Sequence, residues 1–374
     1  MLLRRRSRCR WSQDWRGEGI LHQTATNNKP VKNVLYGGKN YSVNLTARLQ
    51  MRPAFLGLLY LVLVFTSQLR AVIFYSTADS NHNTTAPTGT LAGSGWQWVG
   101  SWGGFQGTPI GPHHFLAARH VGGTVGDLFV FGGVNYTTVA SFDDTVSDLR
   151  IWQVSETFPN WAPLYRASDE IGRSLVVFGR GLTRGAEVRD VATNSLRGWQ
   201  WGAGDGRLRW GENAIKSTVN GGTYWGQLLH ATFDAGGLAN EVALAEGDSS
   251  GPIFIDDGQG WKLAGIAAAV DGSFNTTNAG PGFSAAIFDA RGLYYGNSSS
   301  WTLVGGTAPS PSGFYATRIS VRTAWIDGIV PVPSPLESTD VPLFGTIGSI
   351  LFTVLLFGTG TYFSRGQPAR KAAA

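Results

Sequence analysis

Short runs of apolar residues, each closed by Gly, Asn or Asp, dominate the chain from about Trp96 onward. Gly126-Asp127 precedes Leu128-Phe129-Val130-Phe131, and Gly132-Gly133 ends it. Leu175-Val176-Val177-Phe178 runs into Gly179 in the same way. Lys262 to Val270 is a longer, nearly continuous apolar stretch. Brief β-branched and aromatic runs between turn residues predict strands, and their spacing suits an antiparallel barrel or sandwich. After Ser320, Val321, Trp325 and Ile329 recur at i, i+4 and i+8, which predicts a helix with one apolar face. There is no internal repeat at solenoid or propeller spacing.

The two ends carry a different pattern. Met51-Arg52-Pro53 leads into an apolar run from Ala54 to Phe65, and the chain turns polar before Ala71. A basic start, a short apolar stretch and a small residue read as a secretory signal over residues 51–71. On that reading Met51 starts the protein and residues 1–50 are an upstream extension. The alternative is a basic cytosolic arm with residues 54–65 as an uncleaved anchor. Residues 72–92, rich in Ser, Thr and Asn, are expected to form a flexible arm. Val341 to Phe363 contains no charged residue and is long enough to span a bilayer. Arg365, Arg370 and Lys371 follow it, so residues 364–374 are expected in the cytoplasm and the body outside. Pro331, Pro333 and Pro335 make residues 331–340 a stiff spacer.

Charge changes this picture little. The net +5 comes from residues 1–50, which hold ten Lys/Arg against two Asp/Glu; the rest holds 20 basic and 23 acidic residues. No basic stripe interleaved with aromatics marks the body, so no nucleic-acid partner is expected. The single cysteine, Cys9, lies in the leader, which leaves the body without a disulfide or a cysteine-based metal site. The 14 Trp and 20 Phe argue for a large packed core.

The chemistry concentrates in Gly247-Asp248-Ser249-Ser250-Gly251-Pro252. Glycines beside a serine let the backbone turn tightly, aim N–H groups at a developing oxyanion and leave the hydroxyl open. Upstream lie Ala117-Ala118-Arg119-His120-Val121 and Ser147-Asp148-Leu149-Arg150-Ile151. Asp143 and Asp144 compete with Asp148, but Leu149, Ile151 and Val154 continue a strand pattern after Asp148. His113, His114 and His230 read as structural histidines.

From these residues, in the order His, Asp, Ser, the chain resembles the chymotrypsin-like serine proteases. The resemblance covers roughly residues 93–330. It implies an all-β fold of two six-stranded antiparallel barrels closed by a C-terminal helix, joined here to the transmembrane helix at 341–363. It implies His120 as general base, Asp148 as its orienting partner and Ser249 as nucleophile, with the amides of Gly247 and Ser249 as the oxyanion hole. It implies a protein or peptide substrate and no metal or other cofactor. Gly313 to Ile319 resembles the family's last strand, with an insertion between Val270 and Gly313; Pro281-Gly282-Phe283 is a rival position. Ala243, six residues before Ser249, falls where family members that cleave after Lys or Arg carry an aspartate, and Val270 falls at a pocket wall. In activated family members the aspartate at Asp248 pairs with a freed N-terminus; no activation site is evident, which leaves its partner open. Many animal members carry disulfides, so a cysteine-free body points to a bacterial relative. The proline-rich spacer, apolar stretch and basic end are similar to bacterial sorting tails, with Ser334 at the central position.

Two rival readings remain. Gly247-Asp248-Ser249-Ser250-Gly251 also satisfies the nucleophile elbow of α/β-hydrolases, but no histidine follows His230 to complete that order. The other is a protease-like domain used only for binding at a surface.

Overall fold

The computed structural model describes residues 72–331. The first half is a closed six-stranded barrel. Around it run Gly100–Trp102, Phe105–Gly111, His114–Ala118, Leu149–Val154, Val134–Asp143 and Leu128–Phe131. Alternation decides what each strand buries: Phe129 and Phe131 point inward while Leu128 and Val130 face solvent. Gly132 and Gly133, at φ 59° and 79°, make the two-residue turn that puts Phe131 opposite Val134. Positive φ at both central residues matches the right-handed twist of a hairpin, and glycine adopts it without strain. Inside the barrel the Phe115 and Phe129 rings stack at 4.0 Å, with Trp102 and Trp152 beside them.

The second half departs from the expected second six-stranded barrel. Seven strands form one sheet, in the order Arg209–Ala214, Ser174–Gly179, Pro252–Asp256, Trp261–Val270, Gly313–Arg318, Gln227–Thr232 and Ser217–Asn220. Gln227–Thr232 gives its outer edge to Ser217–Asn220 instead of to Arg209–Ala214, so no ladder closes the ring. The gap is bridged singly: Asn213 Nδ2 donates to Thr232 O at 2.9 Å, and Lys216 N to His230 O at 2.8 Å. Every pairing between named strands is antiparallel, unlike the parallel sheet an α/β-hydrolase elbow requires.

Gly313–Arg318 pairs with Trp261–Val270, which places the last strand after the insertion and not at Pro281-Gly282-Phe283. Within the insertion, Ala285–Ile287 joins the hairpin of Arg184–Arg189 and Leu196–Trp201. The C-terminal helix is shorter than expected, Thr323–Asp327. It buries Ile326, and Val330 just beyond it is buried as well, while Val321 is exposed because it lies in the turn before the helix.

The start of the segment expected as a flexible arm is packed. Ile73–Phe74 pairs with Val242–Ala243, and Val72, Ile73 and Phe74 are buried. Farther along, Asn83 Nδ2 donates to Trp210 O and Trp210 Nε1 to Thr85 O. Three apolar residues at the start of the arm and these polar ties outweigh the Ser/Thr/Asn composition that suggested looseness. Among the described residues no helix is long and apolar enough to cross a membrane. The leader 1–50, the signal 51–71, nearly all of the spacer 331–340, the apolar stretch 341–363 and the tail 364–374 lie outside the described residues.

Candidate active site

Strand pairing carries His120 to Asp148. His114–Ala118 runs antiparallel to Leu149–Val154 with Ala118 opposite Leu149, so the residues just beyond meet. There the chain leaves the sheet in a single turn, Arg119–Val121. Arg119 N donates to Asp148 O at 2.8 Å and His120 N to Asp148 Oδ1 at 2.9 Å. His120 Nδ1 lies 2.5 Å from Asp148 Oδ2. An ionised carboxylate only accepts, so Nδ1 carries the proton and Nε2 is left as an acceptor. Asp148 is fully buried, whereas the His120 ring keeps a quarter of its surface exposed. Asp143 instead pairs with Arg150, and Asp144 with Arg322 and Ser147.

Ser249 comes from the other half, on the loop before Pro252–Asp256. Its Oγ lies 2.9 Å from His120 Nε2. Gly247, at φ 91°, sits in backbone space that side chains rarely adopt. The amides of Asp248 and Ser250 are engaged, donating to Ala245 O and Ala267 O. Among the described residues no group accepts from the amides of Gly247 or Ser249.

Asp248 lies directly behind this loop and is buried. Its carboxylate accepts from Gly181 N at 2.6 Å and Ala245 N at 2.8 Å. Burial pushes its pKa up to about 7, against the pull of those amides and of the Arg209 charge. A side chain at Gly179 or Gly181 would run into this carboxylate. Val72 lies against the same Gly179: its Cγ1 is 2.8 Å from where a Cβ there would stand.

Four residues not singled out from the sequence complete the surroundings. Gln106, fully buried, satisfies both ends of its amide when Nε2 donates to Ser249 O and Oε1 accepts from Arg180 N, each at 3.0 Å. Ser250 Oγ accepts from Ala118 N at 2.9 Å. The Trp225 ring meets the His120 ring edge-on at 5.8 Å, and Arg119 lies over Tyr224 at 4.7 Å. Only Ser250 carried a signal in the sequence, as the non-glycine between Ser249 and Gly251. A buried glutamine in a strand, and a tryptophan on a separate turn, announce nothing locally.

The two expected pocket residues pack into different apolar clusters. Ala243 packs with Ile73, Trp199 and Phe233 in one apolar cluster, whereas Val270 packs against another around Phe314. Ala243 is held there by its pairing with Ile73, which sequence counting could not register. The three histidines read as structural have other surroundings. His113 Nδ1 contacts Glu156 O, His114 is buried with its pKa lowered by burial, and His230 stacks on Tyr315.

No family model and no curated protein matches the chain. Solved structures do show likeness. The Rv3671c protease of M. tuberculosis, in an inactive form, shares 14% identity over 66% of this chain and 98% of that one, with a TM-score of 0.36. Neuropsin, a serine protease of mouse brain, shares 14% identity over 62% and 93%, with a TM-score of 0.36. The passenger domain of the plasmid encoded toxin of enteroaggregative Escherichia coli shares 12% identity over 59% and 21%, with a TM-score of 0.34. Likenesses this distant fix no activity.

Proposed function

We propose that this chain is a serine endopeptidase that cleaves peptide bonds through an acyl-enzyme. The observation that carries the reading is the relay Asp148 Oδ2, His120, Ser249 Oγ, with contacts of 2.5 and 2.9 Å. His120 Nε2 takes the Ser249 proton as Oγ attacks the substrate carbonyl carbon, and returns it to the leaving amine. Asp148 holds the ring in the required tautomer and stabilises the imidazolium. The carbonyl oxygen, now negative, is received by the unengaged amides of Gly247 and Ser249. A water activated by His120 then releases the acyl group. No acidic residue stands at Ala243, so the residue before the scissile bond is apolar and small or medium, not Lys or Arg.

Maturation fits the same reading. Cleavage after Ala71, where the secretory signal ends, frees the amino group of Val72 beside the Gly179 wall of the Asp248 site. An α-ammonium there supplies the cation that a buried carboxylate lacks, the partner that the resemblance calls for. The body then acts outside the cytoplasm, tethered through residues 341–363.

Labelling with a fluorophosphonate, which reacts only with an activated serine, tests the activity. The chain should label, and Ser249→Ala should abolish both labelling and peptide turnover while circular dichroism stays unchanged. Retained turnover in that variant points to another nucleophile. A peptide library run alongside overturns the pocket assignment if arginine dominates before the cut.

A further inference from the structure

Ser250 adopts φ +66°, the left-handed region that glycine enters freely and a side chain enters at a cost. Glycine stands three residues away on one side and next to it on the other, at Gly247 and Gly251, so the loop is not short of residues suited to tight turns. The side chain is completely buried. Something therefore offsets the strain, and the contacts show what. Ser250 N donates to Ala267 O at 2.8 Å within its own sheet. Its Oγ accepts from Ala118 N at 2.9 Å, across to the barrel.

Ala118 is two residues from His120. Three successive amides there are each spent on another part of the relay. Ala118 N donates to Ser250 Oγ, Arg119 N to Asp148 O and His120 N to Asp148 Oδ1. Asp148 belongs to the same barrel as His120, and neighbouring strands set that distance. Ser249 does not. Its separation from His120 depends on how the two halves meet, and two polar ties next to Ser249 span that boundary. One is Gln106 to Ser249 O, the other Ala118 N to Ser250 Oγ. A glycine at 250 would form the turn without strain, but it would leave the buried Ala118 amide without an acceptor.

We propose that Ser250 is a positioning residue whose Oγ, held by Ala118 N, sets the distance between Ser249 Oγ and His120 Nε2 across the two halves. This rests on the serine-endopeptidase reading of the site. The strained turn is the cost of carrying an acceptor where glycine could carry none.

Two variants of the full chain separate positioning from simple stability. Ser250→Ala keeps the strain and loses the bond; Ser250→Gly loses both. Fluorophosphonate labelling and kcat should fall about ten- to a hundredfold in each, the scale of a misplacement near 1 Å. KM should stay unchanged. Thermal stability should diverge, with Ser250→Gly melting above Ser250→Ala because glycine relaxes the turn. Equal loss of rate at unequal stability is the signature of positioning. Wild-type labelling by Ser250→Gly overturns the proposal, even if Ser250→Ala fails to fold. A KM that rises while kcat holds also overturns it. If the unaltered chain does not label, the reading of the site itself falls, and this proposal with it.

Discussion

At Asp148 a single oxygen-to-nitrogen exchange separates charge from shape. Both carboxylate oxygens are committed, one to His120 N and the other to Nδ1. In Asp148→Asn an amide N–H faces one of these donors, and the imidazole is driven to the wrong tautomer. Turnover should fall about 10⁴-fold, the loss that the triad template shows for this exchange. Stopped or steady-state hydrolysis of a peptide substrate measures it, with circular dichroism to check the fold. A loss of less than about tenfold would place the base elsewhere. Asp143 is the contrasting case. It pairs with the partly exposed Arg150, so Asp143→Asn should leave turnover unchanged.

Among the elements, the C-terminal helix reaches the site through one ion pair. Arg322, at its N-terminal end, makes a two-pronged contact with Asp144 Oδ1 and Oδ2, at 2.7 and 2.6 Å. Asp144 is buried and accepts from Ser147 as well. The helix thus braces the loop that delivers Asp148. Removing the cation leaves a buried carboxylate unpaired, so Arg322→Ala should destabilise by about 3–5 kcal/mol. Val321→Ala, one residue earlier at an exposed position, should cost less than about 0.5 kcal/mol. Urea unfolding of the two variants decides this; equal midpoints would show that the pair contributes nothing to the fold.

For the molecule as a whole, two buried carboxylates make stability depend on pH. Burial raises Asp248 and Glu241 each to about 7. In the unfolded chain both titrate in the ordinary carboxylate range near 4. Between those values the folded state holds protons that the unfolded state has released, so it is favoured at the acid end. That contribution is complete below pH 4 and is lost as pH rises through about 7. The thermal midpoint of a chain that retains residues before Val72 should therefore fall between pH 5 and 8. Glu241→Gln should make the fall shallower. With Val72 as a free N-terminus, an ammonium beside Asp248 holds its carboxylate charged, and the part of the fall due to Asp248 should vanish. N-terminal sequencing of secreted protein should begin at Val72. A fall of unchanged depth in that material would separate Asp248 from the N-terminus. Removing residues 337–374 should release active protein into the medium; retention in membranes would make residues 54–65 the anchor.

Local chemistry was enough to single out His120, Asp148 and Ser249, which the fold brings together. A serine between turn glycines, a histidine at a strand end and an aspartate opening the next strand are short patterns, each written within about five residues. The strands Leu128–Phe131 and Gly313–Arg318 were legible for the same reason: alternation and turn residues act on neighbours. What required the folded chain was every decision made between distant segments. Ser217–Asn220 took the edge of Gln227–Thr232 and left the second sheet unclosed, because edge pairing is a competition between strands and not a property of either. Ile73–Phe74 found Val242–Ala243 and turned the start of a polar-looking arm into core. Gln106 and Ser250 join the barrel to the Ser249 loop through a hydrogen bond each, over separations of more than 130 residues. Sequence sets which groups a segment offers; burial and hydrogen-bond satisfaction, settled only when the halves meet, select which of them are used.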